Sequence, residues 1–181
     1  MKVTQSRLEG VCLVKPDVFE DSRGYFLESY HQDRYRENGI DVEFVQDNFS
    51  RSDRGVLRGM HYQVKRGQAK LVWVAQGEIF DVVVDIRKDS ETFGQWQGFT
   101  LSSKNKHQLF IPVGFAHGFC VQSRNAYVGY KCSDYYFPEN EAGLIWNDPE
   151  VGIDWPIEDP ILSEKDQHYP GLENAALPDY S

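Results

Sequence analysis

Cysteine is scarce. Cys12, Cys120 and Cys132 are odd in number and show no metal-type spacing, so they read as small core residues in a reducing cytoplasm rather than a disulfide framework. Long hydrophobic runs are missing too; the uncharged apolar stretches fall far short of a membrane span. The N-terminus, MKVTQSRLEG, carries no apolar h-region, so no signal peptide is expected and a cytoplasmic location is. Positive charge is in short supply: a net charge of −9 argues against a general nucleic-acid binder. No internal repeat, linker or low-complexity segment breaks the chain, and 181 residues suit one domain, 1–181.

What is present is a globular composition, 40% hydrophobic and 14% aromatic. Short strands are expected at Gly10–Val14, Val42–Asn48, 69–75, 79–86, Gly94–Leu101, Leu109–Ile111, Gly118–Gln122 and Ala126–Cys132. Asp21 to Gly24 is turn chemistry between aromatic segments and predicts a hairpin. His31 to Asn38 reads as a short helix stopped by Gly39, and Ser50–Gly55 as a charged loop. From Pro138 onward the chain is rich in Pro, Asp and Trp; residues 138–181 are expected to wrap the body, with one helical turn near Ser163–Asp166. Many short strands and few helices mean an all-β sandwich or barrel with a few short peripheral helices.

The chemistry concentrates between Gly55 and Arg87. His61 stands between Arg58 and Gln63, and Lys70 heads an apolar run. From Arg51 to Lys70 the cations Arg51, Arg54, Arg58, Lys65, Arg66 and Lys70 face only Asp53. In an acidic protein such a stretch suits a small anionic ligand, or else a solvated loop. A base, a permanent cation and a buried ammonium on adjacent strands would serve carbanion chemistry. Each has a plainer reading: His61 as a satisfied histidine, Lys70 as a snorkelling strand-edge lysine, Asp166 as support for a helix start capped by Ser163. Asp81 and Asp85, alternating with valines, receive no role; His31, His107 and His168 read as surface or loop residues.

Pro112 to His117 spells P-x-G-x-x-H, which resembles the second motif of the cupin superfamily and implies a jelly roll, the double-stranded β-helix. His61-Tyr62-Gln63 occupies the slot of the first motif's H-x-H, and Lys70 lies on the strand leading to the Gly77 corner where a glutamate ligand would be. One imidazole has become an amide and an ammonium has entered. A metal site needs neutral imidazoles and a carboxylate, so no metal is expected, with Lys70 supplying the positive charge instead.

The resemblance narrows over R-G-x-H-x-Q (Arg58 to Gln63), Q-x-K-L-V (Gln68 to Val72), F-V-Q-D-N (Phe44 to Asn48), P-x-G-F-A-H-G-F (Pro112 to Phe119), Y-K-C-x-D-Y-Y (Tyr130 to Tyr136) and L-S-E-K-D (Leu162 to Asp166). Together and in this order they resemble the dTDP-4-dehydrorhamnose 3,5-epimerase family. The resemblance implies inversion of the two carbons flanking the C4 ketone of a dTDP-linked 4-keto-6-deoxyhexose. It implies His61 as base, Asp166 as the carboxylate orienting it, Lys70 as enolate stabiliser and Tyr130 as the acid on the opposite face. It implies Arg23 and Arg58 on the diphosphate, Phe26, Glu28, Gln46 and Asn48 on the nucleotide, Phe19 reaching thymine from a neighbouring subunit, and His117 and Tyr136 lining the sugar pocket. It further implies a homodimer that exchanges N-terminal strands, and no cofactor, since nothing is oxidised overall. The competing readings are a 3-only or 5-only epimerase or ketoisomerase on the same substrate, a metal-dependent cupin oxygenase or isomerase, and a non-catalytic sugar-binding jelly roll.

Overall fold

The computed structural model describes residues 1–178. Thirteen strands follow one another: β1 Lys2–Gln5, β2 Cys12–Lys15, β3 Val18–Asp21, β4 Gly24–Leu27, β5 Gln46–Asp53, β6 Leu57–Gln63, β7 Lys70–Gln76, β8 Glu78–Asp85, β9 Trp96–Ser102, β10 Gln108–Ile111, β11 Phe115–Val121, β12 Asn125–Cys132 and β13 Glu141–Gly143. A six-stranded sheet runs β1-β2-β10-β7-β12-β5 and faces a five-stranded sheet, β13-β6-β11-β8-β9, while β3 and β4 form a separate hairpin. All strand pairs are antiparallel. This is the expected all-β jelly roll, with helix among the described residues limited to α1, Gln32–Glu37, and two single 3-10 turns at Pro138–Asn140 and Leu172–Asn174.

Strand periodicity explains which side chains face inward. On β7, Val72 and Val74 enter the core between the sheets together with Ile79 and Val83 of β8 and Leu109 of β10. Leu71 faces the other way, into a cluster with Tyr35 and Ile40 of the α1 region. Lys70 shares the parity of Val72 and Val74, so the alternation of the pleat turns it inward. Between its end residues β8 is apolar on both faces apart from Asp81 because both faces are covered: Ile79 and Val83 meet the inter-sheet core, whereas Val82 and Val84 meet Leu144, Val151 and Leu172 of the C-terminal segment. Residues of that segment pack on the five-stranded sheet; of the wrapping span 138–181, residues 179–181 lie outside the described residues.

Several boundaries differ from the sequence expectations. The strand placed at Val42–Asn48 starts at Gln46 and continues through the expected charged loop to Asp53. Its alternation is Ser50 and Ser52 inward, Arg51 and Asp53 outward, and β12 pairs with it along its whole length. A polar strand at a sheet edge lacks an apolar signal, and edge charges discourage further pairing. β11 begins at Phe115 rather than Gly118, which sets His117 inside the strand. β1 was not expected; it pairs in full with β2. The helical turn near Ser163–Asp166 is a hydrogen-bonded turn, with the Gln167 amide donating to the Ser163 carbonyl at 3.3 Å.

Candidate active site

The site sits between the sheets at one end. Gln46, Asn48, Lys70 and Tyr130 come from the six-stranded sheet, and His61, Tyr62, Gln63 and Glu141 from the other; with Gln68 and Tyr136 they line a cavity of about 290 Å³. Register explains the first group: Tyr130 pairs with Asn48 and with Val72, and Cys132 pairs with Gln46 and Lys70. A deeper recess touches His61, Lys70 and His117, whose backbone positions 61 and 117 are direct cross-strand partners.

On β6, Arg58 and His61 are three residues apart, which on a regular strand puts them on opposite faces. The ladder with β11 shifts register between His117 and Phe119. This bulge lets both residues serve the same end of the sandwich: His61 lines the cavity, and Arg58 donates to Ser52 Oγ at 3.0 Å on β5, close enough to Tyr130 for its charge to oppose the rise that burial imposes on the phenol's pKa. Gly59 is required at the bulge, with φ at 135° and a would-be Cβ 2.5 Å from the Gly118 Cα.

His61 Nε2 donates to Asp166 Oδ1 at 2.7 Å, since a carboxylate can only accept. Asp166 is buried; its other oxygen accepts from the Gly59 amide at 3.4 Å, and its own amide donates to Ser163 Oγ at 3.2 Å. Burial alone would raise its pKa, yet the hydrogen bond and charge of His61, with Gly59 and Ser163, hold it below the ordinary carboxylate value. The turn that Ser163 caps therefore also delivers the carboxylate to the imidazole.

Lys70 Nζ has no hydrogen bond or ion pair among the described residues. Burial drives its pKa down, opposed by Cys132, Asp81 and Glu141. Burial likewise pushes the Tyr130 phenol up, so it stays protonated at neutral pH. His117 Nε2 lies 3.0 Å from both oxygens of the buried Asp81, giving that aspartate an inward role that its sequence position did not reveal. Asp85 instead closes a turn, accepting from Arg87, Ser90 and Thr92.

Three amides tie down the 134–137 segment over the cavity. Gln63 accepts from the Phe137 amide at 2.7 Å and donates to the Arg66 carbonyl at 2.8 Å, Gln68 donates to the Asp134 carbonyl at 2.7 Å, and Gln46 accepts from the Tyr136 amide at 3.0 Å. The amide in the cupin histidine slot thus holds backbone. Tyr136 Oη donates to Glu141 Oε2, and Lys165 Nζ to Glu141 Oε1, each at 2.7 Å. Glu141 was missed in the sequence: β13 is three residues long and lies in a Pro- and Glu-rich stretch without periodicity.

The fold gathers His61, Lys70, Tyr130, Gln46, Asn48 and Tyr136 around one cavity, with Asp166 and His117 behind. Phe19, Arg23 and Phe26 sit apart on the β3–β4 hairpin and line their own groove of about 390 Å³. Phe19 and Phe26 are 63% and 68% exposed, Arg23 is engaged with Asp21, and Glu28 accepts from Arg34 at 2.6 Å. A larger open groove of about 1090 Å³ beside Arg7, Arg87 and Ser90 shares no residue with the His61 cavity. Among the described residues, no three His, Cys, Asp or Glu side chains gather as a metal-holding cluster.

The profile of dTDP-4-dehydrorhamnose 3,5-epimerases matches residues 5–174. The chain belongs to this family. It is 55% identical over 169 residues to the dTDP-4-dehydrorhamnose 3,5-epimerase of Pseudomonas aeruginosa, covering 92% of this chain and 93% of that one. It is 42% identical over 169 residues to a dTDP-4-dehydrorhamnose 3-epimerase of Streptomyces niveus, covering 92% and 82%. The crystal structure of the Legionella pneumophila dTDP-6-deoxy-D-glucose-3,5-epimerase in complex with dTDP-4-keto-L-rhamnose superposes with a TM-score of 0.96 at 48% identity, covering 99% and 98% of the two chains. The fold is therefore the family's cupin jelly roll. Among the described residues no helix is long and apolar enough to cross a membrane.

Proposed function

We propose that this chain inverts C3 and C5 of dTDP-4-dehydro-6-deoxy-D-glucose to give dTDP-4-dehydro-L-rhamnose. The observation that carries the reading is that a histidine tied to a buried carboxylate, an ammonium with no hydrogen-bond or ion-pair partner among the described residues and a protonated phenol line one cavity, in a chain of this family. Asp166 holds the proton of His61 on Nε2, which leaves the lone pair on Nδ1. That nitrogen takes the proton from the carbon beside the C4 ketone, and the C–H electron pair passes into the enolate. Lys70 meets the charge that develops on O4; an ammonium already desolvated and without a partner among the described residues needs no reorganisation to do so. Tyr130 gives its hydroxyl proton to the carbon from the opposite face, which inverts the centre, and the phenolate is reprotonated from water. No electron leaves the substrate, so the reaction asks for no redox cofactor.

His117, turned by Asp81, lines the sugar end with Tyr136; Gln46, Asn48 and Arg58 take the nucleotide diphosphate. Phe19, Arg23 and Phe26 line a groove of their own, and neither they nor Glu28 line the His61 cavity within one chain. Their exposure favours a homodimer with exchanged N-terminal strands, in which the hairpin of one subunit completes the site of the other. The unit is one cytoplasmic domain, 1–181. Inversion at both carbons is favoured over 3-only epimerisation by the higher identity to 3,5-epimerases, 55% against 42%.

The test is incubation with dTDP-4-dehydro-6-deoxy-D-glucose in D2O followed by NMR. Deuterium entering both C3 and C5 is the expected result. Uptake at one carbon alone makes the chain a monoepimerase, and uptake no faster than in buffer makes it a binding module. Sedimentation velocity at micromolar concentration tests the dimer.

A further inference from the structure

We infer that Tyr169, seated on Gly143, is a positioning residue that fixes the imidazole plane of His61 against Asp166. Among the described residues the His61 ring is held by a single hydrogen bond, the one to Asp166. One bond fixes a distance and leaves the ring free to swing about it. The second restraint is Tyr169, whose ring meets the imidazole edge-on, with centroids 5.8 Å apart and planes at 69°. Edge-to-face geometry is the favoured contact of two aromatic rings and resists rotation of either.

Tyr169 has its own seat. Gly143 on β13 is the direct partner of His61 on β6. A Cβ at Gly143 would stand 2.5 Å and 2.6 Å from ring carbons of Tyr169, so the ring lies flush on the glycine backbone. The β13–β6 ladder is locked there by reciprocal Met60 and Leu144 backbone bonds at 3.3 and 2.9 Å. Tyr169 follows Asp166 by three residues, just past the turn that carries it, so one short segment supplies both the hydrogen-bond acceptor and the aromatic wall. The ring acts and the hydroxyl does not: its Oη is shut off from solvent without a hydrogen-bond partner among the described residues, and Tyr169 does not line the cavity.

The inference rests on His61 being the base, and the experiment separates the two. Tyr169→Leu, Tyr169→Phe and His61→Asn are prepared in the full chain and assayed for kcat and KM on dTDP-4-dehydro-6-deoxy-D-glucose. The downfield proton resonance of the His61–Asp166 hydrogen bond is followed by NMR. Tyr169→Leu is expected to lower kcat about 10- to 100-fold while KM stays within about twofold, and to broaden that resonance, because a small misplacement of a catalytic group costs on this scale. Tyr169→Phe, which keeps the ring, restores kcat to within about twofold of the parent and raises the melting temperature. Should Tyr169→Leu not fold, Tyr169→Met, which fills the seat without a ring edge, is read by the same outcomes. Full kcat in the ringless variant, or a loss in Tyr169→Phe equal to it, overturns the inference. Retained exchange in His61→Asn instead removes the base assignment itself.

Discussion

His61 and Asp166 meet at 2.7 Å across 105 residues of chain. β6 brings the imidazole to the cavity, and a capped turn in the C-terminal segment brings the carboxylate from behind it. The pairing makes one nitrogen of His61 a fixed donor and leaves the other to accept a proton.

Replacing His61 by asparagine keeps a polar side chain of similar bulk and removes the base. Deuterium uptake at C3 and C5 should fall by about 10²–10⁴, with the circular dichroism spectrum unchanged. Near-normal uptake would place the base elsewhere.

Lys70→Met should trade activity for stability. Loss of the enolate stabiliser is expected to cost about 10²–10³ in kcat. The folded pKa of Lys70 lies below its ordinary 10.5, so the unfolded chain binds the proton more tightly and parental stability climbs with pH through that interval. The methionine variant should lack this climb and melt higher at neutral pH, by about 2–4 °C for each 1 kcal/mol recovered in a chain of this size. Calorimetry between neutral and alkaline pH checks it; a lower melting temperature at neutral pH would mean that the ammonium is not destabilising where it sits.

Tyr130→Phe removes the proton donor and spares the first abstraction. Product formation should drop further than deuterium wash-in. Equal losses in both would contradict the opposite-face role.

Asp166 carries a pH signature. Its folded pKa is lowered from 3.8 by His61, Gly59 and Ser163 acting against burial, so its contribution is complete above 3.8 and fades as pH falls through the folded value. Asp166→Asn should therefore lose about 1–3 kcal/mol at neutral pH and unfold with a flatter acid dependence. Urea titrations at neutral pH and below the carboxylate range give both numbers, and an unchanged acid slope would count against the depressed pKa.

Gly59→Ala sets a methyl group against the Gly118 backbone at 2.5 Å in a positive-φ conformation. Backbone cannot yield as a flexible side chain does, so the bulge should open. A loss of about 2 kcal/mol or more is expected from urea unfolding, with weaker substrate binding as Arg58 leaves its place. A variant as stable as the parent would show that the bulge accommodates a side chain.

Much of the fold was legible. Val72, Val74, Val82 and Val84 announce strands, and Gly24 and Gly39 mark turns that the structure contains, because apolar alternation and backbone permission act within a few residues. The polar strand Gln46–Asp53 was hidden by its composition: pairing with β12, not burial of apolar side chains, makes it a strand. Glu141 and Asp81 were hidden for a related reason, since neither stands in a pattern that tells a cavity-facing carboxylate from a solvated one.

By itself the sequence determined the all-β class and the family, and placed Lys70 at the head of a run that is apolar at both parities, so which way it faces came from the structure. Only the tertiary structure decided that Asp166 would reach His61, that a bulge would turn Arg58 and His61 to one end, and that Tyr169 would close on the imidazole from the seat at Gly143. Strand direction follows from neighbouring residues. Contacts across 105 residues of chain depend instead on ladder register and on where a long, aperiodic segment comes to rest, and those are settled by packing of the whole core.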